Sequence, residues 1–200
     1  MAKLESPRLW IVAGPNGSGK STMYDRTDIA GFGRSVWIIN PDLLAAHISD
    51  QEAVDLPQAN GEALTRIMKW LRASIKAHQT VGVETVLSTS KYRKLVRLAK
   101  SFGFDIHLLY VTLDSPQRNI ERVRLRVAKG GHRVPEDKIV ERRERSFKQL
   151  PWFLAQADLA LIFDNSGAEP KLVGRKTKGV VDIDPSAPEA IQRAAKKLGR

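Results

Sequence analysis

Short apolar runs recur along the chain, and the intervals between them are long enough for helices. Five runs have the character of strands and cover residues 8–13, 35–40, 81–86, 106–111 and 159–163. Their apolar residues are nearly continuous rather than alternating, which is typical of strands buried on both faces. Two later runs, 171–175 and 179–183, predict a short hairpin at the edge of the sheet.

The intervening segments carry helical periodicity. Residues 61–78 place apolar side chains on one helical face, at Leu64, Ile67, Met68, Leu71 and Ile75. Further helices are predicted at 91–101, 116–128, 136–150 and 186–198, and Pro57 predicts a loop before the long helix. Alternating strands and helices predict the α/β fold class. We expect a mostly parallel sheet flanked by helices, in a single domain spanning residues 1–200.

A phosphate-binding motif follows the first strand. Residues 14–21 fit the pattern G-x-x-x-x-G-K-[ST], and a helix-compatible segment comes next. Glycines in this loop let the backbone turn tightly and present N–H groups to phosphate oxygens. Lys20 can reach the β- and γ-phosphates, and the Ser21 hydroxyl can hold Mg²⁺. The predicted ATP-binding residues are Gly14, Pro15, Asn16, Gly17, Ser18, Gly19, Lys20, Ser21 and Thr22. The alternative is a glycine-rich turn without a ligand.

Composition narrows the class of protein. No apolar run approaches the roughly 20 residues of a membrane span, and the first residues lack the apolar region of a secretion signal. The absence of cysteine excludes disulfides and thiolate zinc sites, and it fits a cytoplasmic protein.

The net charge of +11 indicates an anionic partner. Basic residues concentrate in 91–100, 118–148 and 171–178. A cationic site for nucleotide phosphates explains part of this excess, and solvated helix faces are the alternative. Nucleic acid is the less expected partner, because no RNP-type or zinc-finger signature is present.

Residues outside the loop favour phosphoryl transfer over ATP hydrolysis. The fifth run ends in Asp164-Asn165 instead of Asp-Glu, so the water-activating glutamate of many ATPases is missing. The guanine-reading Asn-Lys-x-Asp motif is absent as well. A small-molecule kinase needs a carboxylate near the γ-phosphate, cations that neutralise charge during transfer, and a lid that excludes water.

Two carboxylates are candidates for the first requirement. Asp42 follows the second strand, at the sheet edge where open α/β sheets bind ligands, and is the candidate general base. Its alternative role is to cap the next helix. Glu84 lies in the third strand, where a charge is costly unless it is paired or functional. It is a candidate for contact with the substrate or with the Mg²⁺ shell, and a buried salt bridge is the alternative.

An arginine-rich helical lid is predicted at about 116–148. Arg122 and Arg126 share one helix face at i, i+4, and Arg133 follows a Gly-Gly hinge. Guanidinium groups grip phosphate oxygens well, so these three are the candidate transfer-stabilising residues. The alternative is that they pair with glutamates of the same segment. His132 is interpreted as a hinge or lid contact rather than a metal ligand.

Five sequence blocks, in their order and spacing, resemble the zeta-toxin family of phosphate-loop kinases. The first, at 11–22, is shared by many ATPases, but the set of five is much more specific and spans 11 to about 145. The other four are Asn40-Pro41-Asp42, Glu84-Thr85-Val86-Leu87-Ser88, Ile120-Glu121-Arg122 and Gly130-Gly131-His132-Arg133-Val134-Pro135.

The resemblance implies a nucleoside- or shikimate-kinase-like fold and transfer of the ATP γ-phosphate to a hydroxyl of UDP-N-acetylglucosamine. By this resemblance Asp42 is the base, Lys20 contacts the β- and γ-phosphates, and Asn165 lies near the adenine. Acceptor contacts are implied for Asp42, Glu84 and Thr85, and transfer stabilisation for Arg122 and Arg133, with Arg126 a competitor for either arginine role. A small antitoxin protein that blocks the ATP site is also implied.

One departure from the family keeps the acceptor open. Glu84 is followed by Thr85-Val86, whereas the best-known toxins have Glu followed by Gly, so other UDP-sugars or dinucleotides are alternative acceptors. A nucleotide-dependent switch that phosphorylates no metabolite is the alternative class. A nucleic-acid kinase is a third.

Overall fold

The computed structural model describes residues 5–25, 36–131 and 133–198. The start of the predicted second strand at Ser35 and the contact assigned to His132 lie outside these residues. The elements, in chain order, are β1 (Arg8–Ala13), α1 (Lys20–Asp25), β2 (Ile38–Ile39), α2 (Pro41–Glu52), α3 (Leu56–Lys76), β3 (Val81–Thr85), α4 (Arg93–Ser101), β4 (Asp105–Thr112), α5 (Pro116–Ala128), α6 (Glu136–Gln156), β5 (Leu159–Asp164), β6 (Lys171–Thr177), β7 (Val180–Ile183) and α7 (Glu189–Lys196).

The seven strands found among the described residues form one sheet in the order β2-β3-β1-β4-β5-β6-β7. The first five are parallel, and β6 and β7 add an antiparallel hairpin at one edge. The predicted α/β fold class is confirmed, and the predicted hairpin is present. In the register of β1 with β3, Val12 is opposite Glu84 and Ala13 is opposite Thr85. This register brings the loop after β1 beside the end of β3.

Strand β1 is buried on both faces, as its continuous apolar run predicts. Leu9 and Ile11 belong to a large core with α3, α4, α6 and α7 on one side. Trp10 and Val12 belong to a smaller cluster that includes Met23 of α1 on the other side. The strand and the loop that follows it are therefore fixed from both sides.

At two helix starts the structure differs from what the sequence suggests: the loop predicted at Pro57 is wrong, and so is the alternative role of Asp42 as a cap. Pro57 lies in the first turn of α3, where the missing N–H costs nothing, and Asp55 caps the helix by accepting a 2.8 Å hydrogen bond from the N–H of Gln58. At α2 the cap is Asn40, whose Oδ1 accepts from the N–H groups of Asp42 and Leu43. Asp42 is therefore a first-turn residue and not the cap considered for it.

Apolar contacts hold both helices of the predicted lid segment, 116–148. A small apolar cluster of Val123, Val134 and Ile139 joins α5 to the start of α6. Helix α6 continues to Gln156, beyond the predicted end at 150, and its later residues belong to the main core. Tyr110 of β4 and Ser146 of α6 also share a buried 2.8 Å hydrogen bond. The second half of α6 therefore packs against the sheet and does not belong to a mobile lid.

Candidate active site

The loop after β1 wraps around the ammonium group of Lys20. The Nζ atom donates to the carbonyl oxygens of Gly14 at 3.0 Å and Pro15 at 3.1 Å. Burial lowers the pKa of Lys20; Glu84 and Asp42 oppose this shift, and Arg126 adds to it. A cation is thus held inside a tight loop by backbone oxygens, in reach of any anion that binds there.

Two neighbouring elements close around this loop, and its glycines make that approach possible. Gly17 has φ +71°, and a Cβ there would lie 2.6 Å from the carbonyl oxygen of Asn119 on α5. Gly19 has φ +91°, and a Cβ there would collide with the side-chain amide of Asn165, which follows β5. Any side chain at either position would be strained and would displace its neighbour.

Asparagine side chains brace the same loop. The Nδ2 of Asn119 donates to the carbonyl oxygen of Asn16 at 2.6 Å, and the Nδ2 of Asn165 donates to that of Ser18 at 2.8 Å. Arg122 in turn donates to the carbonyl oxygen of Asn165 at 2.7 Å. Sequence reasoning missed Asn119, because a lone asparagine in a charged helix carries no signal of its partner.

Replacing Asn119 with alanine is expected to lower the free energy of unfolding by about 1 kcal/mol, because the buried Asn16 carbonyl loses its donor. Loss of the buried Oδ1 of Asn119, which has no hydrogen-bond partner among the described residues, offsets part of the cost. The urea midpoint should fall with an unchanged slope, and exposed Gln117 on the same helix gives the control variant Gln117→Ala. Equal midpoints for both variants would contradict the bracing role.

Glu84 connects the loop to the second strand. Its Oε2 accepts hydrogen bonds from Ser21 Oγ at 2.9 Å and from Asn40 Nδ2 at 3.0 Å, and its Oε1 lies 3.8 Å from Lys20 Nζ. The buried salt bridge considered for Glu84 is therefore present, beside the hydroxyl proposed to hold Mg²⁺. Both interpretations of this residue are compatible with the geometry.

The other predicted acceptor residues differ in placement. Asp42 is exposed in the first turn of α2, and its carboxylate acts electrostatically on Lys20, Lys91 and Tyr92. Thr85 is buried, and its Oγ1 accepts a 3.0 Å hydrogen bond from the N–H of Leu87. The charge of Asp42 therefore acts on the cation held in the loop, and its role as the base stays a prediction. The Thr85 side chain supports a turn, and its contact with the acceptor also stays a prediction.

A cavity of about 680 Å³ joins the loop to the lid helix α5. Predicted residues that line it are Gly17, Gly19, Lys20, Ser21, Thr22, Glu84, Arg122, Arg126 and Asn165. Asn16 and Ser18 of the same loop are buried and do not line the cavity. The lining also includes Met23, Phe163, Ala168, Glu169 and Pro170, none of which the sequence pattern singled out. The predicted phosphate-binding groups occupy one part of this cavity, and the apolar residues provide a surface on which a nucleotide base could pack.

Arg133 is not brought to this cavity. It lines a separate concavity of about 390 Å³ between α5 and α6, together with Val123, Val134 and Ile139. Arg122 and Arg126, one turn apart on α5, are the lid arginines placed beside the phosphate loop. A catalytic role for Arg133 stays a prediction that this placement does not favour.

The residues that line the cavity fit a nucleoside triphosphate accompanied by Mg²⁺. Lys20, Arg122 and Arg126 line the cavity and carry the positive charge that phosphate oxygens need. No group of three acidic, histidine or cysteine side chains that could hold a metal occurs among the described residues. Ser21 and Glu84 supply oxygen atoms only, and Mg²⁺ commonly completes such a shell with water and substrate phosphates.

Within the described ranges no helix is both long and apolar enough to cross a membrane. A family model described as an AAA domain, AAA_33, matches residues 9–150. An uncharacterized protein of Haemophilus influenzae is 30% identical over 142 residues, which cover 65% of this chain and 93% of that protein.

Solved structures share the fold. The crystal structure of AvrRxo1-ORF1:-ORF2 with ATP matches with a TM-score of 0.71 and 16% identity, over 96% of this chain and 64% of the matched chain, so this chain spans less than two thirds of that one. A structure of the PezAT chromosomal toxin-antitoxin system of Streptococcus pneumoniae matches with a TM-score of 0.62 and 14% identity, over 100% of this chain and 88% of the other. At these identities the likeness shows the fold alone, which is that of P-loop kinase-like proteins.

Proposed function

The chain belongs to the AAA_33 family of AAA domains, and from this premise we propose that it is an ATP-dependent kinase of zeta-toxin type. Its acceptor would be a hydroxyl of a nucleotide sugar, with UDP-N-acetylglucosamine the leading candidate. One observation carries the proposal: Lys20, the Ser21–Glu84 pair and two lid arginines line one cavity. The absence of a water-activating glutamate after β5 supports transfer to a metabolite rather than to water.

Each residue has a defined task in this proposal. Asp42 takes the proton of the acceptor hydroxyl while the acceptor oxygen bonds to the γ-phosphorus, and the bond to the bridging oxygen breaks to release ADP. Lys20, Arg122 and Arg126 neutralise charge that shifts toward the leaving oxygen. Mg²⁺ held by Ser21 would neutralise further phosphate charge. The rate of transfer would then depend on how the protein positions the two substrates and neutralises their charge, and no covalent intermediate with the protein is needed.

A protein partner is part of the proposal. The sequence resemblance implies an antitoxin that covers the ATP site, and a chain of the PezAT toxin-antitoxin system shares the fold. We place this activity in the cytoplasm, where ATP and nucleotide sugars are both available.

Acceptor-dependent ADP release tests the enzymatic part. With Mg·ATP, addition of UDP-N-acetylglucosamine or of a bacterial metabolite extract should raise ADP release by roughly tenfold or more, since the glutamate that activates water in many ATPases is missing after β5. Mass spectrometry should find one metabolite that has gained a single phosphate. Slow turnover that no metabolite changes would instead identify a nucleotide-dependent switch and would exclude the kinase.

A further inference from the structure

We propose that Asn165 is a positioning residue, which fixes Arg122 over the phosphate loop so that the guanidinium group meets the terminal phosphate of the bound nucleotide. The inference deepens the proposed function and rests on it, because it takes ATP as the nucleotide. It assigns Asn165 a role that acts through another side chain, and it differs from the adenine contact that the sequence resemblance implies.

Asn165 holds the phosphate loop with its side chain and Arg122 with its main chain. Its Nδ2 donates to the carbonyl oxygen of Ser18 at 2.8 Å, and its own carbonyl oxygen accepts from Nη2 of Arg122 at 2.7 Å. A carbonyl oxygen can only accept, so the amide nitrogen rather than the amide oxygen must face Ser18. A single residue therefore sets the distance between the loop and this arginine.

Arg122 lies directly against the loop at two of its glycines. A Cβ at Gly19 would collide with Nδ2 of Asn165 and would lie 3.6 Å from Nη1 of Arg122. A Cβ at Gly17 would lie 3.4 Å from the Cβ of Arg122. Because Nη2 is bonded to Asn165, Nη1 is the donor that remains beside Gly19, in the cavity that Lys20 also lines. A phosphate group bound by the loop is thus within reach of Nη1.

The backbone around Asn165 is anchored from several sides. The N–H of Asn165 donates to the carbonyl oxygen of Thr112 at 2.9 Å, at the edge of the sheet. The next residue, Ser166, donates its N–H to Oδ1 of Asp164 at 3.0 Å, and its carbonyl oxygen accepts from Nη1 of Arg118 at 2.9 Å. The carbonyl group that holds the guanidinium therefore has a fixed position relative to the sheet.

This linkage should affect the terminal phosphate selectively. Arginine has many rotamers, and a guanidinium that is already fixed loses less conformational freedom when it binds a phosphate. Phosphates bound by the loop move with the loop, so loss of the Asn165 amide would misalign them with Arg122 and would leave the loop's own contacts intact. Asn119 would still hold the loop at Asn16. The loop should therefore stay formed without Asn165.

Calorimetric titration of the full chain, with Mg²⁺ and either ADP or a non-hydrolysable ATP analogue, tests this role. The ratio of the two dissociation constants measures what the terminal phosphate contributes to binding. Asn165→Ala should lower the preference for the ATP analogue by about tenfold, the loss expected of one charge-assisted hydrogen bond. Affinity for ADP should change little, which also shows that the variant is folded. Arg122→Ala should lower the preference at least as much.

A double-mutant cycle shows whether Asn165 acts through Arg122. In the Arg122→Ala background, Asn165→Ala should cause no further loss of preference, because the side chain that it positions is gone. The control background is Arg126→Ala, which removes another arginine of α5 from the same cavity. There Asn165→Ala should still cause the full loss.

The outcomes separate this inference from the proposed function, since none of the titrations requires phosphoryl transfer. An unchanged preference for Asn165→Ala, with both affinities lowered equally, overturns the positioning role and identifies a loop brace or a contact with the base. An equal loss of preference in both arginine backgrounds overturns it as well, because the effect then does not pass through Arg122. A protein that shows the coupling but phosphorylates no metabolite supports this inference, and only the kinase assignment fails.

Discussion

Substitution of Lys20 by methionine or alanine is expected to lower kcat by about 10²-fold or more, the largest effect of any single change in the phosphate loop. Lys20 is the buried cation held inside the loop, with its Nζ on the carbonyl oxygens of Gly14 and Pro15. Its charge would stabilise the oxygen that leaves the γ-phosphate, and methionine fills a similar volume without that charge. Single-turnover measurements at saturating Mg·ATP and acceptor would isolate the transfer step.

The control for Lys20 addresses folding. Glu84 would lose the cation 3.8 Å from its Oε1, so part of any lost activity could reflect a destabilised loop. Thermal unfolding should therefore be measured alongside activity, and Lys69→Met on the exposed face of α3 provides a matched variant. A folded Lys20→Met protein that retains a rate within a few fold of wild type would refute transfer in this loop.

Local sequence predicted the features that depend on neighbours in the chain. The apolar runs located the parallel strands, and the glycine spacing located the phosphate loop, because both patterns reflect backbone geometry over a few residues. Glu84 was also found locally, since a charge in a buried strand needs a partner. The structure supplies that partner in Lys20, which is brought close by the register of β1 with β3.

Contacts between distant elements were not predictable in the same way. Asn119 braces the loop at Asn16 from 103 residues away, and Arg93 donates to Gln149 only because α4 packs on α6. Arg133 was grouped with Arg122 because both flank the hinge in sequence. The turn between α5 and α6 instead places Arg133 in a different concavity. Helix packing decides these cases, and it cannot be deduced from local patterns in a single sequence.

Conversion of Asp42 to asparagine is expected to lower kcat by about 10²- to 10⁴-fold, because an amide cannot take the proton of the acceptor hydroxyl. Asp42 is exposed in the first turn of α2, and Asn40 rather than Asp42 caps that helix, so the substitution should leave folding nearly unchanged. Affinity for ATP should change little, since the Asp42 side chain does not line the cavity beside the phosphate loop. Acceptor-dependent ADP release would be compared with that of Asp50→Asn, which removes an exposed carboxylate from the same helix.

The pattern of losses for Asp42→Asn distinguishes a base from an electrostatic neighbour. A base is used only in the transfer step, so kcat and kcat/KM should fall together while the KM for the acceptor stays near its wild-type value. If Asp42 acted only by its charge on Lys20 and Lys91, the asparagine variant would keep most of its rate at saturating acceptor and would change KM instead. In that case another group must take the proton, and the base assignment would be withdrawn.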